Sequence, residues 1–352
     1  MAKLRLGVIG AGSWTIASHL PNLAERRDEV EFTAVCRKGP ELLRKVKDDW
    51  GFQIASEDYH DVLDAGVDIC VVASPHGLHY EHAKAALEAG AHVLCEKPFT
   101  IDPAHAWELV ELADRKGLHL VLSHGWNYMQ PMRDAKRLMD EHGIGEIEES
   151  ALQMASVTRE LLADTGAYPE ASPESVPEAG TWTDPRNGGG YAQAQLSHAL
   201  AASLWLTGLR GEAVFALMKS VLGAKVEHHD ACVIRYDNGS IGTMAGGSCH
   251  VDAGGNRHQL EFRAIGSEGQ LMIDLERDEL WLFRSDGFEI RPQLEPDALL
   301  YNDDGPPNAL VDLALGRDVE NCSPGELGAR TVEIVDAAYR SVASGGLEEI
   351  RR

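Results

Sequence analysis

The chain has 352 residues, 44% of them hydrophobic and 25% charged, which is a globular composition and more length than one ordinary core holds, so about two domains are expected. Fifty-six acidic against 32 basic residues leave a formal net charge of -24, a field that repels phosphate backbones and anionic membrane surfaces, so nucleic acid and membranes are poor candidate partners. No apolar run reaches the roughly 18–20 residues that cross a bilayer, and six dispersed cysteines without a Cys-x-x-Cys pair fit a reducing cytoplasm better than a disulfide framework or a zinc ribbon.

The first third of the chain is rhythmic. Strand-like apolar runs at 4–9, 30–36, 67–73, 92–95 and 119–123 alternate with helix-patterned stretches at 80–89 and 104–116. Alternation at this spacing means crossover units, and crossover units build a parallel sheet with helices on both faces. The rhythm changes after Gly125. A helix is expected over 132–142, stopped by Gly143. Residues 158–190 are rich in Gly, Pro, Asp, Glu and Thr and read as a long functional loop.

Strands follow at 231–236, 241–246, 259–265, 270–274 and 279–283. Asp237-Asn238-Gly239 and Gly266-Ser267-Glu268-Gly269 lie between them as hairpin turns, which implies a largely antiparallel sheet. Ser323-Pro324-Gly325-Glu326 reads as the start of a last helix over about 324–344, with Ser323 as its cap. The expected fold class is therefore α/β: a doubly wound parallel sheet over residues 1–123, then an α/β domain with an open, largely antiparallel sheet over 124–352.

Gly10-Ala11-Gly12-Ser13-Trp14-Thr15 follows the first strand and opens a helical stretch, the place where a dinucleotide fingerprint must sit. Gly10 permits the tight turn, Gly12 removes the Cβ that would block a pyrophosphate, and the helix start offers N–H groups to the anion. Thr15 stands where a third glycine or alanine is expected, which predicts looser packing of helix on strand. Where an acid would bind a ribose 2′-hydroxyl the chain carries Cys36-Arg37-Lys38. Two cations there attract a 2′-phosphate, so NADP is favoured over NAD, although loop cations are often merely solvated.

Ser74-Pro75-His76-Gly77-Leu78-His79 and Cys95-Glu96-Lys97-Pro98 each end a strand of the first sheet, where open parallel sheets bind ligands. A lysine beside an oxidised nicotinamide can orient or protonate a substrate oxygen. The ordered set of the Gly10 turn, Ser74 to His79, Glu96-Lys97-Pro98, and Gly188-Gly189-Gly190 followed by His198 resembles the Gfo/Idh/MocA family of glucose–fructose oxidoreductase, inositol dehydrogenase and their relatives. Asn127 and Pro131, Gly143-Ile144-Gly145 and Ile265 to Gly269 extend the likeness over essentially the whole chain.

The resemblance implies an NAD(P)-dependent oxidoreductase that moves hydride to or from a hydroxyl-bearing carbon of a sugar or cyclic polyol, on a homodimer or homotetramer. It makes Lys97 and His198 the catalytic pair and places His79, Glu96 and Asn127 around the cofactor, with a cis bond before Pro98. His198 suits the part of a base because an imidazole titrates near neutral pH. Many relatives carry an aspartate four residues before this histidine, and here that position is Ala194. Lys97 and His198 are left to share the acid–base work, with Gln195 on a substrate hydroxyl.

Trp182, Asp184 and Tyr191 in or beside the long loop read either as a stacking face and hydroxyl partners for a sugar or as loop anchors. His228-His229-Asp230 reads as an exposed polar patch rather than a metal site. Two other activities fit the same resemblance: glycoside cleavage by transient oxidation with bound NAD, and non-catalytic nucleotide sensing.

Overall fold

The computed structural model describes residues 2–166, 180–249, 259–295 and 301–351. Its first sheet holds six parallel strands: β1 (Leu4–Ile9), β2 (Val30–Cys36), β3 (Ile54–Ser56), β4 (Ile69–Val72), β5 (His92–Cys95) and β6 (Leu120–Leu122). They lie in the order β3-β2-β1-β4-β5-β6, so the sequence order reverses between β1 and β4. This is the doubly wound arrangement, whose reversal point opens a crevice at the carboxyl ends of the strands. All four residues of β4 are buried, as a strand covered on both faces requires.

The connections of the first sheet contain α1 (Leu20–Ala24), α2 (Pro40–Trp50), α3 (Tyr59–Asp64) and α4 (His79–Glu88), and α5 (Pro103–Lys116) leads into β6. Strand β3 and helix α2 were not anticipated. Three residues are too few to display an alternation, and in α2 only Leu43 and Val46 are buried under an otherwise polar face. Asp102 caps α5 through the Ala104 N–H, and Gly117 ends it in the left-handed region.

Helix α6 (Gln130–His142) leads into the second sheet, with α7 (Arg159–Leu162) and α8 (Ser197–Thr207) between its first strands. The sheet comprises β7 (Ile147–Ser156), β8 (Gly211–Lys219), β9 (His229–Tyr236), β10 (Ile241–Ser248), β11 (Gln259–Gly266), β12 (Gly269–Asp274), β13 (Glu279–Arg284), β14 (Glu289–Ile290) and β15 (Glu348–Glu349). Their order is β14-β13-β12-β11-β7-β10-β9-β8-β15, and only β7 and β10 pair in parallel. The two turns read from the sequence connect antiparallel neighbours, β9 with β10 and β11 with β12. Strands β7 and β8 are additions to the sequence reading, and β7 lies at the centre of the sheet. From Ser150 onward it alternates, with Leu152 and Met154 in the core and Ala151, Gln153 and Ala155 on the more exposed face.

Helices α9 (Gly305–Ala314) and α10 (Gly325–Ser344) close the molecule. Leu310 and Val311 of α9 pack with Val71 and Leu94 of the first sheet. In α10, Ala329 and Val332 join the first sheet's core, while Ile334 and Ala338 join the core of the second. The last helix thus ties the two sheets together. It begins at Gly325 with Pro324 at the cap position, so Ser323 does not cap it. The Ser323 hydroxyl is instead engaged by His124 Nδ1 at 2.8 Å.

Candidate active site

The glycine turn leaves β1 at the reversal point. Gly10 has φ +92°, and a Cβ there would stand 2.3 Å from the Ser74 backbone nitrogen, so both the turn and the closeness of β4 demand glycine. Gly12 differs. A Cβ at Gly12 would approach nothing closer than Gly10 O at 3.9 Å, so the missing side chain clears open space in front of the turn. That cradle fits a pyrophosphate lying against the backbone.

The helix beyond is wound as a π turn over Thr15–His19, and Thr15 packs fully buried with its hydroxyl donating to Gly10 O at 3.0 Å. The looser packing expected from threonine does not occur, because that hydrogen bond absorbs its polarity. Ser13 and Trp14 stand partly buried at the mouth of the turn, and the Trp14 ring meets Tyr301 edge-on at 6.2 Å. Arg37 Nη1 donates to Ala11 O at 3.0 Å, which sets a guanidinium against the turn, and exposed Lys38 reaches Glu57 O at 2.9 Å.

Behind the turn, Glu96 is buried and bonded to His19 Nε2 at 2.7 Å. Burial opposes its charge, but His19, the Lys97 ammonium and the Ser123 hydroxyl outweigh that and hold the carboxyl at about 2. His19 was missed in the sequence reading, and the available signal was its place one turn beyond Thr15 on the fingerprint's own helix. His79 turns Nδ1 to Pro98 O and Nε2 to Ser74 O, each at 2.7 Å, and so bridges the ends of β4 and β5. Pro75 is exposed, while Ser74 Oγ meets His82 Nδ1 at 2.8 Å. His76 Nδ1 meets Gly188 O at 3.1 Å. Burial, then the neighbouring His79 and Lys97, drive His76 down to about 3, so its ring is neutral at pH 7.

The Lys97–Pro98 bond is cis. Lys97 Nζ donates to Ala194 O at 2.9 Å and lies 5.1 Å from the centre of the Trp182 ring. Burial lowers its proton affinity and the Glu96 charge opposes that. Ala194 belongs to a second π turn, Ala192–Leu196, which runs into α8 with Gln193 and Gln195 buried beside it. His198 lies in the first turn of α8, itself buried almost all round, with its ring 5.8 Å from both His124 and Tyr301 and 6.3 Å from Trp126. Burial pushes His124 down to about 4. His124, Trp126 and Tyr301 escaped the sequence reading; Tyr301 arrives from more than 100 residues away in the chain. Asn127 is fully buried, with Nδ2 donating to Cys322 O at 2.8 Å.

Not every expected residue faces this cluster. Tyr191 is fully buried against Gly246, and its hydroxyl accepts from Ser156 Oγ at 3.2 Å inside the second core, so it offers no hydroxyl partner to a substrate. Asp184 caps the Pro185–Asn187 turn and pairs with Arg186 at 2.8 Å, an anchoring role. Trp182 does reach the site, with its ring 5.3 Å from His76. His228 and Asp230 do not form an exposed patch, because their side chains point into the core beneath β9, at 0% and 4% exposure.

A reversed parallel sheet with a glycine cradle, joined to a mixed sheet that delivers a histidine helix to the same crevice, is the architecture of a two-domain nucleotide-dependent oxidoreductase. Residues 4–124 match the model for an oxidoreductase family with an NAD-binding Rossmann fold, and residues 132–272 match the GFO/IDH/MocA C-terminal domain. The chain belongs to the Gfo/Idh/MocA oxidoreductase family.

Among curated relatives it is 30% identical to the uncharacterized oxidoreductase YfiI of Bacillus subtilis over 216 residues, 58% of this chain and 51% of that one. It is 26% identical to scyllo-inositol 2-dehydrogenase (NADP(+)) IolW of the same organism, over 76% of this chain and 70% of the relative. The chain spans about half the length of the curated relatives it matches, from 36% to 70% in individual cases. A solved levoglucosan dehydrogenase in complex with NADH and levoglucosan superposes with TM-score 0.77 over the whole of both chains at 21% identity, a likeness of fold.

Proposed function

We propose that this chain is an NADP-preferring oxidoreductase that transfers hydride between its cofactor and a hydroxyl-bearing carbon of a sugar or cyclic polyol. Residues 1–123 bind the nucleotide and residues 124–352 the substrate. The observation that carries the reading is the convergence of Lys97 Nζ on the Ala194 carbonyl at 2.9 Å, which brings the lysine to the turn that leads into His198. The relative named scyllo-inositol 2-dehydrogenase (NADP(+)) and the solved fold holding NADH and levoglucosan lend support to this substrate class.

A bound nicotinamide supplies the hydride acceptor. Gly10 and Gly12 receive the pyrophosphate with the N–H groups that follow at Ser13 and Trp14. Arg37 and Lys38 meet the 2′-phosphate. Lys97 donates to the substrate oxygen and polarises it, His198 accepts the hydroxyl proton, and Gln195 holds a neighbouring hydroxyl. Trp182 gives the sugar a flat apolar face.

We further read the protein as a cytoplasmic homodimer or homotetramer. The outer face of the second sheet exposes Phe215, Leu217, Val233 and Ile241 at 37%, 67%, 49% and 56%, an apolar area that a second copy would cover. The functional test is a screen of polyols and sugars with both nicotinamide cofactors, followed by absorbance. Net formation of NADPH or NADH with one of them, slowed on the order of 100-fold or more in Lys97→Ala, is the expected result. Release of sugar from a glycoside with no net reduction, or no Lys97-dependent turnover at all, overturns it.

A further inference from the structure

Position 194 is alanine and offers Lys97 only its backbone carbonyl, so the placing of that carbonyl falls to whatever holds the π turn. The holder is a residue far away in sequence. Glu227, in the connection just before β9 and 7% exposed, accepts at Oε1 from the Ala192 N–H at 3.0 Å and from the Tyr339 hydroxyl of α10 at 2.6 Å. Its own backbone carbonyl accepts from the Tyr191 N–H at 3.2 Å. The fit extends to Gly190, with φ +113°, because a Cβ there would stand 2.3 Å from Glu227 Oε1. Gly190 in turn accepts the Ala194 N–H at 2.9 Å and donates to Trp182 O at 3.1 Å. One carboxyl group therefore holds the turn that meets Lys97, and Gly190, fitted against it, ties that turn to the loop that carries Trp182.

We infer that Glu227 is a positioning residue: through Ala192 it seats the Ala194 carbonyl on the Lys97 ammonium. The consequence for turnover rests on the reading of Lys97 as the group that meets the substrate oxygen; the placing of the ammonium itself does not. The groups around Glu227 are Tyr339 and the buried Asp230; burial raises the proton affinity of both carboxyl groups, and a charge on Glu227 raises that of Asp230 further. Those around Lys97 are Glu96, His76, His79, His124 and the Trp182 ring.

The test needs no substrate. The full-length protein is trace-labelled with acetic anhydride across a pH series, and acetylation at Lys97 is followed by mass spectrometry with exposed Lys45 as internal reference. Glu227→Ala deprives the ammonium of a seated acceptor, so the midpoint for Lys97 falls by about 0.5–1 pH unit. Glu227→Gln keeps an accepting oxygen and the wild-type midpoint. Tyr339→Phe gives a smaller fall in the same direction and carries the test where Glu227→Ala fails to fold.

In turnover, Glu227→Ala lowers kcat roughly 10–100-fold while NADPH affinity stays within about twofold. Lys97→Ala and the Lys97→Ala/Glu227→Ala double variant are equally impaired, because the two residues act as one unit. An unmoved Lys97 midpoint in both the alanine and phenylalanine variants, or additive losses in the double variant, overturns the inference. If the midpoint moves but wild type turns over no polyol or sugar, the positioning stands and the proposed reaction falls.

Discussion

Around Lys97 the protein has gathered charge that it does not let relax. Glu96 stays ionised in a buried place because His19 and Lys97 face it, whereas His76 and His124 are denied protons by burial. This has a measurable sign. His124 is held at about 4, below the ordinary value of 6.5, so between these limits the unfolded chain binds a proton that the folded one refuses. Stability that is complete above pH 6.5 is therefore lost as the pH falls toward 4, by up to about 3 kcal/mol from this one group.

His124→Asn, which keeps a partner for Ser323, flattens that part of the acid limb in denaturation curves recorded at a series of pH values. An unchanged limb rejects the assignment. At the cofactor end, Arg37→Ala with Lys38→Ala weakens NADPH at least about tenfold more than NADH in fluorescence titrations, because only the 2′-phosphate needs the lost cations. Equal losses for the two cofactors would remove the basis for an NADP preference. Lys97→Ala, by contrast, leaves cofactor affinity near wild type and lowers turnover on the order of 100-fold or more.

Among the elements, the turn after β1 separates structural need from ligand need. Gly10→Ala puts a methyl group 2.3 Å from the Ser74 backbone nitrogen at φ +92°, and a loss of about 2–4 kcal/mol in stability is expected. Gly12→Ala touches nothing nearer than 3.9 Å, so stability stays within about 0.5 kcal/mol while nicotinamide binding drops. Thermal unfolding paired with NADPH titration reads both, and a Gly12→Ala protein that binds normally would refute the cradle.

This turn was legible in the sequence because everything that makes it is local: a strand, two glycines and a helix start. The hairpins at Asp237-Asn238-Gly239 and Gly266 to Gly269 were legible for the same reason. Strand β7 was not, since its Ile147-Glu148-Glu149-Ser150 opening shows no alternation until the partners β10 and β11 define its inner face. Ser323 misled because a good capping residue was claimed by His124, a neighbour no local pattern announces.

For the molecule as a whole, α10 shares its residues between the cores of both sheets, so the two halves present their candidate site residues to each other as parts of one packed body. The outer face of the second sheet has no such cover among the described residues. Light scattering should find two or four times 38.3 kDa, and Leu217→Lys with Val233→Glu should shift the mass toward 38.3 kDa. A wild-type protein found only at 38.3 kDa rejects the oligomer.

The sequence by itself determined the two sheet styles, the cradle and the order of the site motifs, because each depends on neighbours within a few residues of one another. Only the tertiary structure decided that Lys97 leans on Ala194, 97 residues on, that His19 faces Glu96, 77 residues on, and that Glu227 anchors the turn before His198. It also turned Tyr191 away from the crevice. These pairings are chosen by how two sheets and a shared helix pack, and packing is a property of surfaces that come together only when the whole chain has folded.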